Sequence, residues 1–138
     1  MDRSRRTFSP PHLLEHFPVP NFHWGLRQNG FVFLASQGGI DRDGSVPASL
    51  ADQVRVALRN VQECLAGLDA RDEDVVQMMI FFRHVEGRPL GEALATFVEV
   101  KDLVMPGCVP VGLAVPVPEL FLPGLLGEVQ VIAAVPER

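Results

Sequence analysis

The chain has 138 residues, 47% hydrophobic and 21% charged. That is one domain of ordinary globular composition, neither a disordered tail nor a disulfide miniprotein. Its net charge of −5, from 12 basic and 17 acidic residues, argues against a groove for a phosphate backbone, so nucleic acid is not an expected partner. No stretch approaches the ~20 apolar residues of a membrane span, so no membrane partner is expected either.

The basic cluster Arg3, Arg5 and Arg6 reads as a solvated N-terminal tail, and no apolar stretch follows it as in a secretory signal. Two cysteines, Cys64 and Cys108, without an export signal, imply reduced thiols in the cytoplasm. Residues 1–21, with Pro10, Pro11, Pro18 and Pro20, read as an extended arm with one helical turn at Leu13–His16. Residues 22–138 read as a single domain. Within it, Phe31-Val-Phe-Leu-Ala35 is a short buried strand, bounded by Asn29-Gly30 and Gly38-Gly39. The Asn-Gly pair predicts a hairpin turn, with Leu26–Gln28 as the partner strand.

Asp41-Arg-Asp-Gly44 is turn chemistry. Ser49, with Asp52 three residues on, resembles a capping box opening a helix. Leu50, Val54, Ala57, Leu58, Val61, Leu65 and Leu68 then form one apolar stripe, and the helix should end near Gly67. Val75–Arg83 has the length and apolarity of a central strand covered on both faces. Pro89–Asp102 predicts a second helix with Leu90, Leu94, Phe97 and Val98 inward. Cys108–Val117 reads as a strand whose Pro110 and Pro116 point to an edge, a bulge or a strand end. Glu119–Gly127 is a Pro/Gly-rich loop displaying Leu120, Phe121 and Leu122. Glu128–Val135 closes the fold, with Val129, Val131 and Ala133 on one face and Glu128, Gln130 and Ile132 on the other. The order β(β)αβαββ predicts an α/β or α+β unit with helices on one sheet face.

Chemistry-bearing motifs are sparse. Ser36-Gln-Gly-Gly39, at a strand end, places a hydroxyl and bare backbone N–H groups such as that of Gly38 where a small anion can meet them, although a plain turn explains the same residues. Glu128 opens a very apolar strand; partial burial would raise its pKa and let it hold or activate a water, whereas an exposed acid at a strand end is the simpler reading. Cys108 is a reactive thiol or a buried small hydrophobe. His23 is a general base or an aromatic packer beside Phe22 and Trp24. His12 and His16 are four apart, but the surrounding prolines and the lack of a third ligand argue against a metal, and no cofactor motif is present.

Several segments together resemble the RidA/YjgF family of small trimeric proteins: Asn29–Gly39, Asp52–Gln62 with Gln53 and Asn60, Asp74–Arg83, Pro110–Ala114 and Gly127–Ala133. The resemblance covers about residues 22–135. It implies a chorismate-mutase-like α+β fold, a mixed sheet with two helices on one face, assembled as a homotrimer with small-molecule sites in intersubunit clefts. It further implies hydrolysis of imines and enamines such as 2-aminoacrylate, with a glutamate positioning the water and an arginine anchoring the substrate carboxylate. The family's glutamate matches Glu128 and its serine Ser36, while its N-terminal tyrosine falls near His23 or Trp24. Its arginine falls on Cys108, and the family's asparagine in the second helix falls near Leu94 or Glu92.

Losing that guanidinium removes a charge-assisted pair worth roughly 1.5–3 kcal/mol. The expectation is a cleft for neutral or less acidic ligands, walled by Phe97, Met105, Leu120 and Phe121, with Arg27 and Arg88 as alternative cations. A hydrolase with Glu128 at its centre and a non-catalytic trimeric binder are both compatible with these residues. The ribonuclease activity that the family's other label suggests fits the acidic charge least.

Overall fold

The structure, a computed structural model, describes residues 4–138. Its strands are β1 (Arg6–Phe8), β2 (Gly25–Gln28), β3 (Phe31–Leu34), β4 (Gln37–Gly38), β5 (Val75–Arg83), β6 (Val111–Val117) and β7 (Gly127–Ala134). Its helices are α1 (Pro11–His16), α2 (Leu50–Gly67) and α3 (Leu90–Val104). The strands form one mixed sheet in the order β1-β2-β3-β7-β5-β6, with β4 also paired to β7. Only β5 and β6 run parallel, joined through α3; the other pairs are antiparallel. This is the expected α+β architecture.

Local chemistry accounts for the elements. Asn29 and Gly30 both take positive φ, 56° and 80°, the backbone that a two-residue hairpin between right-twisted strands requires. Ser49 Oγ accepts from the Asp52 N–H at 3.2 Å and caps α2. The Asp52 carboxylate takes Arg55 at 2.6 Å. The whole predicted apolar stripe of α2 is buried, against Val32, Leu34, Val129 and Val131 of the sheet. Gly39 permits this docking, because a Cβ there would sit 2.7 Å from the Gln53 backbone.

Three expectations are corrected. The N-terminal segment, read as an extended arm, is docked on the sheet: β1 pairs with β2, and α1 buries His12 and Leu13. Arg6, expected in a solvated tail, donates to the Leu68 carbonyl at 3.3 Å and pairs with Asp69 at 2.9 Å. Arg3 lies outside the described residues. In α3 the buried residues are Ala93, Phe97, Val100 and Lys101, while Leu90 and Val98 are exposed. This helix is apolar on two sides, and the small Ala93 turns its own side to the sheet. Finally, β5 is not covered on both faces. Met78, Ile80 and Phe82 enter the core, but Gln77, Met79, Phe81 and Arg83 lie on the face without helices and stay half-exposed.

Candidate functional site

β7 organises the site. Its odd residues from Gly127 to Ala133 are buried under the helices, and the alternation puts Glu128 on the open face. Glu128 pairs in register with Gly38 on one side and Phe81 on the other. Its carboxylate therefore rises between β4 and β5. Beside it is an open cleft of about 840 Å³, bounded by Ser36, Phe81, Arg83, the 117–123 segment and Glu128.

The β6–β7 loop forms one wall. Gln53 of α2, fully buried, holds it: Nε2 donates to the Gly124 carbonyl at 2.9 Å and to the Pro47 carbonyl at 2.8 Å. Oε1 accepts from the Leu126 N–H at 2.8 Å. Gly38 leaves room for the loop, since a Cβ there would stand 3.0 Å from Leu125. On the outside, Phe121 meets Phe17 edge-on at 4.8 Å, and Phe17 meets Trp24 at 6.0 Å. The N-terminal arm thus buttresses the loop that shapes the cleft.

Electrostatically, Glu128 is held by burial alone. It makes no hydrogen bond or ion pair among the described residues, and desolvation pushes its carboxyl above the ordinary value of 4.5. Such a group alternates between proton acceptor and donor closer to neutrality than a solvated carboxylate does. With the Ser36 hydroxyl in the same cleft, the arrangement can orient a water and take its proton.

Ser36, Gly38 and Glu128 therefore come together, Gly38 through its backbone. The other three candidates lie elsewhere in the chain. Cys108 is fully buried in the turn after α3, its N–H bonded to the Met105 carbonyl at 2.9 Å. Its carbonyl accepts from Lys101 Nζ at 2.7 Å, and burial pushes its thiol up to about 11. In this chain it is a small core residue, apart from the cleft beside Glu128. Phe97 packs in the core edge-on to Phe82 at 6.4 Å, on the helical side of the sheet. It also borders a separate apolar groove between α3 and β6 of about 270 Å³. His23 is exposed ahead of β2. Met105, expected as a wall, is wholly inside.

The alternative cations are also occupied. Arg27 donates to the Leu68 carbonyl at 2.8 Å, and Arg88 donates to the Arg83 carbonyl at 3.2 Å. Arg83 itself is the cleft residue the sequence reading overlooked. Its signal was available: it follows Phe81 by two in a strand, so it shares the face of Glu128. As for metals, His12 bonds Asn60 and His16 bonds the Arg42 carbonyl. Among the described residues no group of three or more His, Cys, Asp or Glu is placed to hold an ion.

A family profile described as Endoribonuclease L-PSP matches residues 15–135. The chain belongs to that family. Solved structures place it in the same circle. Rv2704 of Mycobacterium tuberculosis, described as a member of the YjgF/YER057c/UK114 family, is 26% identical, with a TM-score of 0.77 over 96% of this chain and 100% of that one. The YjgF protein of E. coli (21% identity, TM-score 0.72) covers 84% of this chain and 89% of its own. TdcF of E. coli, solved with bound serine, is 22% identical, with the same TM-score and the same coverage. These last two likenesses speak to the fold. No curated protein matches the sequence. The YjgF/Rid resemblance read from the sequence is therefore correct. Among the described residues no helix is long and apolar enough to cross a membrane.

Proposed function

We propose that this chain is a hydrolytic deaminase of small imines and enamines, with Glu128 holding the attacking water. The observation that carries the reading is a half-buried, unpartnered carboxylate opening onto a cleft beside a serine hydroxyl. Glu128 takes a proton from the water as its oxygen bonds to the imine carbon and the C=N π pair moves to nitrogen, and the carboxyl then passes that proton to the nitrogen. The carbinolamine's hydroxyl proton goes by the same carboxylate to the amine as C=O forms and the C–N bond breaks, releasing ammonia and leaving Glu128 ionised as it began. The net change is imine plus water to carbonyl plus ammonia. An electrophilic C=N bond asks for little beyond orientation and a proton relay.

The working unit is a homotrimer. Phe31, Phe33, Val111 and Leu113 are exposed on the sheet face without helices, and the cleft opens on that same face. A neighbouring copy would cover the apolar surface and close the cleft. Two buried thiols and the lack of a disulfide among the described residues suit a reducing compartment, the cytoplasm. With Cys108 at the position of the family arginine, the substrate is held differently from 2-aminoacrylate in the archetypal members. A ribonuclease reading draws less support, because the chain is acidic overall and its cleft carries two carboxylates, Glu119 and Glu128, to one arginine.

A second reading, a trimer that binds a metabolite without converting it, draws on the buried Cys108 and on the serine held by TdcF. Ammonia release from imines generated in situ by amino-acid and amine oxidases separates the two. The enzyme reading expects turnover that falls 10²–10⁴-fold in Glu128→Gln, the range for a general base. No rate above buffer across the panel, with ligand-induced thermal stabilisation instead, leaves the binder.

A further inference from the structure

Among the arginines near the sheet, Arg83 stands apart. Arg6, Arg27 and Arg88 each donate to a backbone carbonyl, and Arg138 pairs with Asp74. The Arg83 side chain makes no hydrogen bond and no ion pair among the described residues, although it is half-buried in a cleft wall. Its backbone, by contrast, is fully fixed. The N–H donates to the Leu126 carbonyl at 3.0 Å, the carbonyl accepts from Arg88 at 3.2 Å, and the residue pairs with Val117 of β6. A rigid strand position thus presents an uncommitted guanidinium to the same space as Glu128.

Geometry sets the relation between the two groups. Phe81 is the register partner of Glu128, and Arg83 lies two residues further along, about 7 Å at strand rise. Among the described residues no salt bridge joins Arg83 to Glu128 or to Glu119, the two carboxylates of the cleft. The cation and the base are therefore free to act on different atoms of one ligand. Phe81, Val117, Leu120 and Phe121 supply apolar surface around them.

We infer that Arg83 is the specificity-determining cation of this cleft, clamping the carboxylate of 2-imino acids that carry a bulky apolar side chain. This rests on the deaminase reading and names its substrate class. It also revises the expectation of a neutral ligand. The positive clamp absent at Cys108 is supplied from β5 of the chain that carries Glu128. Guanidinium suits the task because its planar fork takes both oxygens of a carboxylate.

The test uses the full chain, its Arg83→Gln and Arg83→Lys variants, and two imines made in situ: that of L-leucine, which carries a carboxylate, and that of 3-methylbutylamine, which does not. Arg83→Gln should lower kcat/KM for the leucine imine about 10–100-fold, leave the amine-derived imine within about twofold, and leave the sedimentation coefficient unchanged. Arg83→Lys should fall between wild type and Arg83→Gln. An equal loss on both imines, no loss on either, or dissociation of the assembly would overturn the proposal; the last would mean that Arg83 pairs with a neighbouring copy. Binding of 4-methyl-2-oxopentanoate against 4-methyl-2-pentanone, followed by calorimetry, separates this proposal from the deaminase reading. Arg83-dependent preference for the oxo acid without turnover keeps the clamp and removes the enzyme. Turnover indifferent to Arg83 keeps the enzyme and removes the clamp. A wild-type protein that binds neither probe and turns over neither imine removes both.

Discussion

The two faces of the sheet are made from the same strands and have opposite fates. On the helical face, Val32, Leu34, Met78, Ile80, Phe82, Val129, Val131 and Ala133 are sealed under α2 and α3. On the other, Phe31, Phe33, Val111 and Leu113 are nearly as apolar and stand in the open. Burial on the first face stabilises the single chain. The second face gains nothing until another surface covers it, and at its end the alternation of β5 and β7 brings in Arg83 and Glu128. One alternating pattern thus encodes the fold with one set of residues and the candidate site with the next.

Breaking the covered face has the largest expected effect. Leu58 is wholly buried in α2, so Leu58→Ala should cost about 2–5 kcal/mol of unfolding free energy in urea. Next comes Gln53, which ties the core helix to the cleft loop. Gln53→Ala strands two carbonyls and one N–H, costs about 1–3 kcal/mol, and should raise KM by freeing residues 118–126. A stability loss with unchanged kinetics would show that the loop does not shape the site. Smallest for the chain itself is Phe33→Ser on the open face, 45% exposed. It should change the folding free energy of an isolated chain by less than about 1 kcal/mol while reducing the sedimenting mass of the proposed trimer. An intact trimer in that variant would contradict the role given to this face.

Legibility in the sequence followed the same division. The stripe from Leu50 to Leu68 and the Asn29-Gly30 turn are strong local signals, and both formed where expected. β1 and β4 escaped notice because strands of three and two residues carry no period of their own and exist only through pairing with β2 and β7. In α3, two apolar stripes competed, and only packing against the sheet could choose between them. Glu128 was legible because period-two alternation sets its face. Arg83 obeys the same alternation, but reading β5 as covered on both faces hid it. The confinement of Cys108 and Phe97 to the core depends on how α3 docks, which local sequence does not specify.

Glu128 also makes a prediction about pH and stability. Its folded carboxyl is raised above 4.5 by burial, so the folded state binds the proton more tightly than the unfolded chain. The stabilisation from protonation is fully present below the unfolded value and lost as pH rises through the folded one. Glu128→Gln should therefore be no less stable than wild type at pH 7 in thermal unfolding. A destabilised variant would point to a structural role for the carboxylate.

Whether the half-buried Glu128 carboxylate is the proton acceptor of the cleft can be read from the pH profile of kcat/KM for imine hydrolysis. The wild type should show an acid limb at a pKa above 4.5, with the rate falling as Glu128 is protonated, and Glu128→Gln should lose that pH-dependent rate. A limb at or below 4.5, or a Glu128→Gln protein with the wild-type profile, would contradict that role.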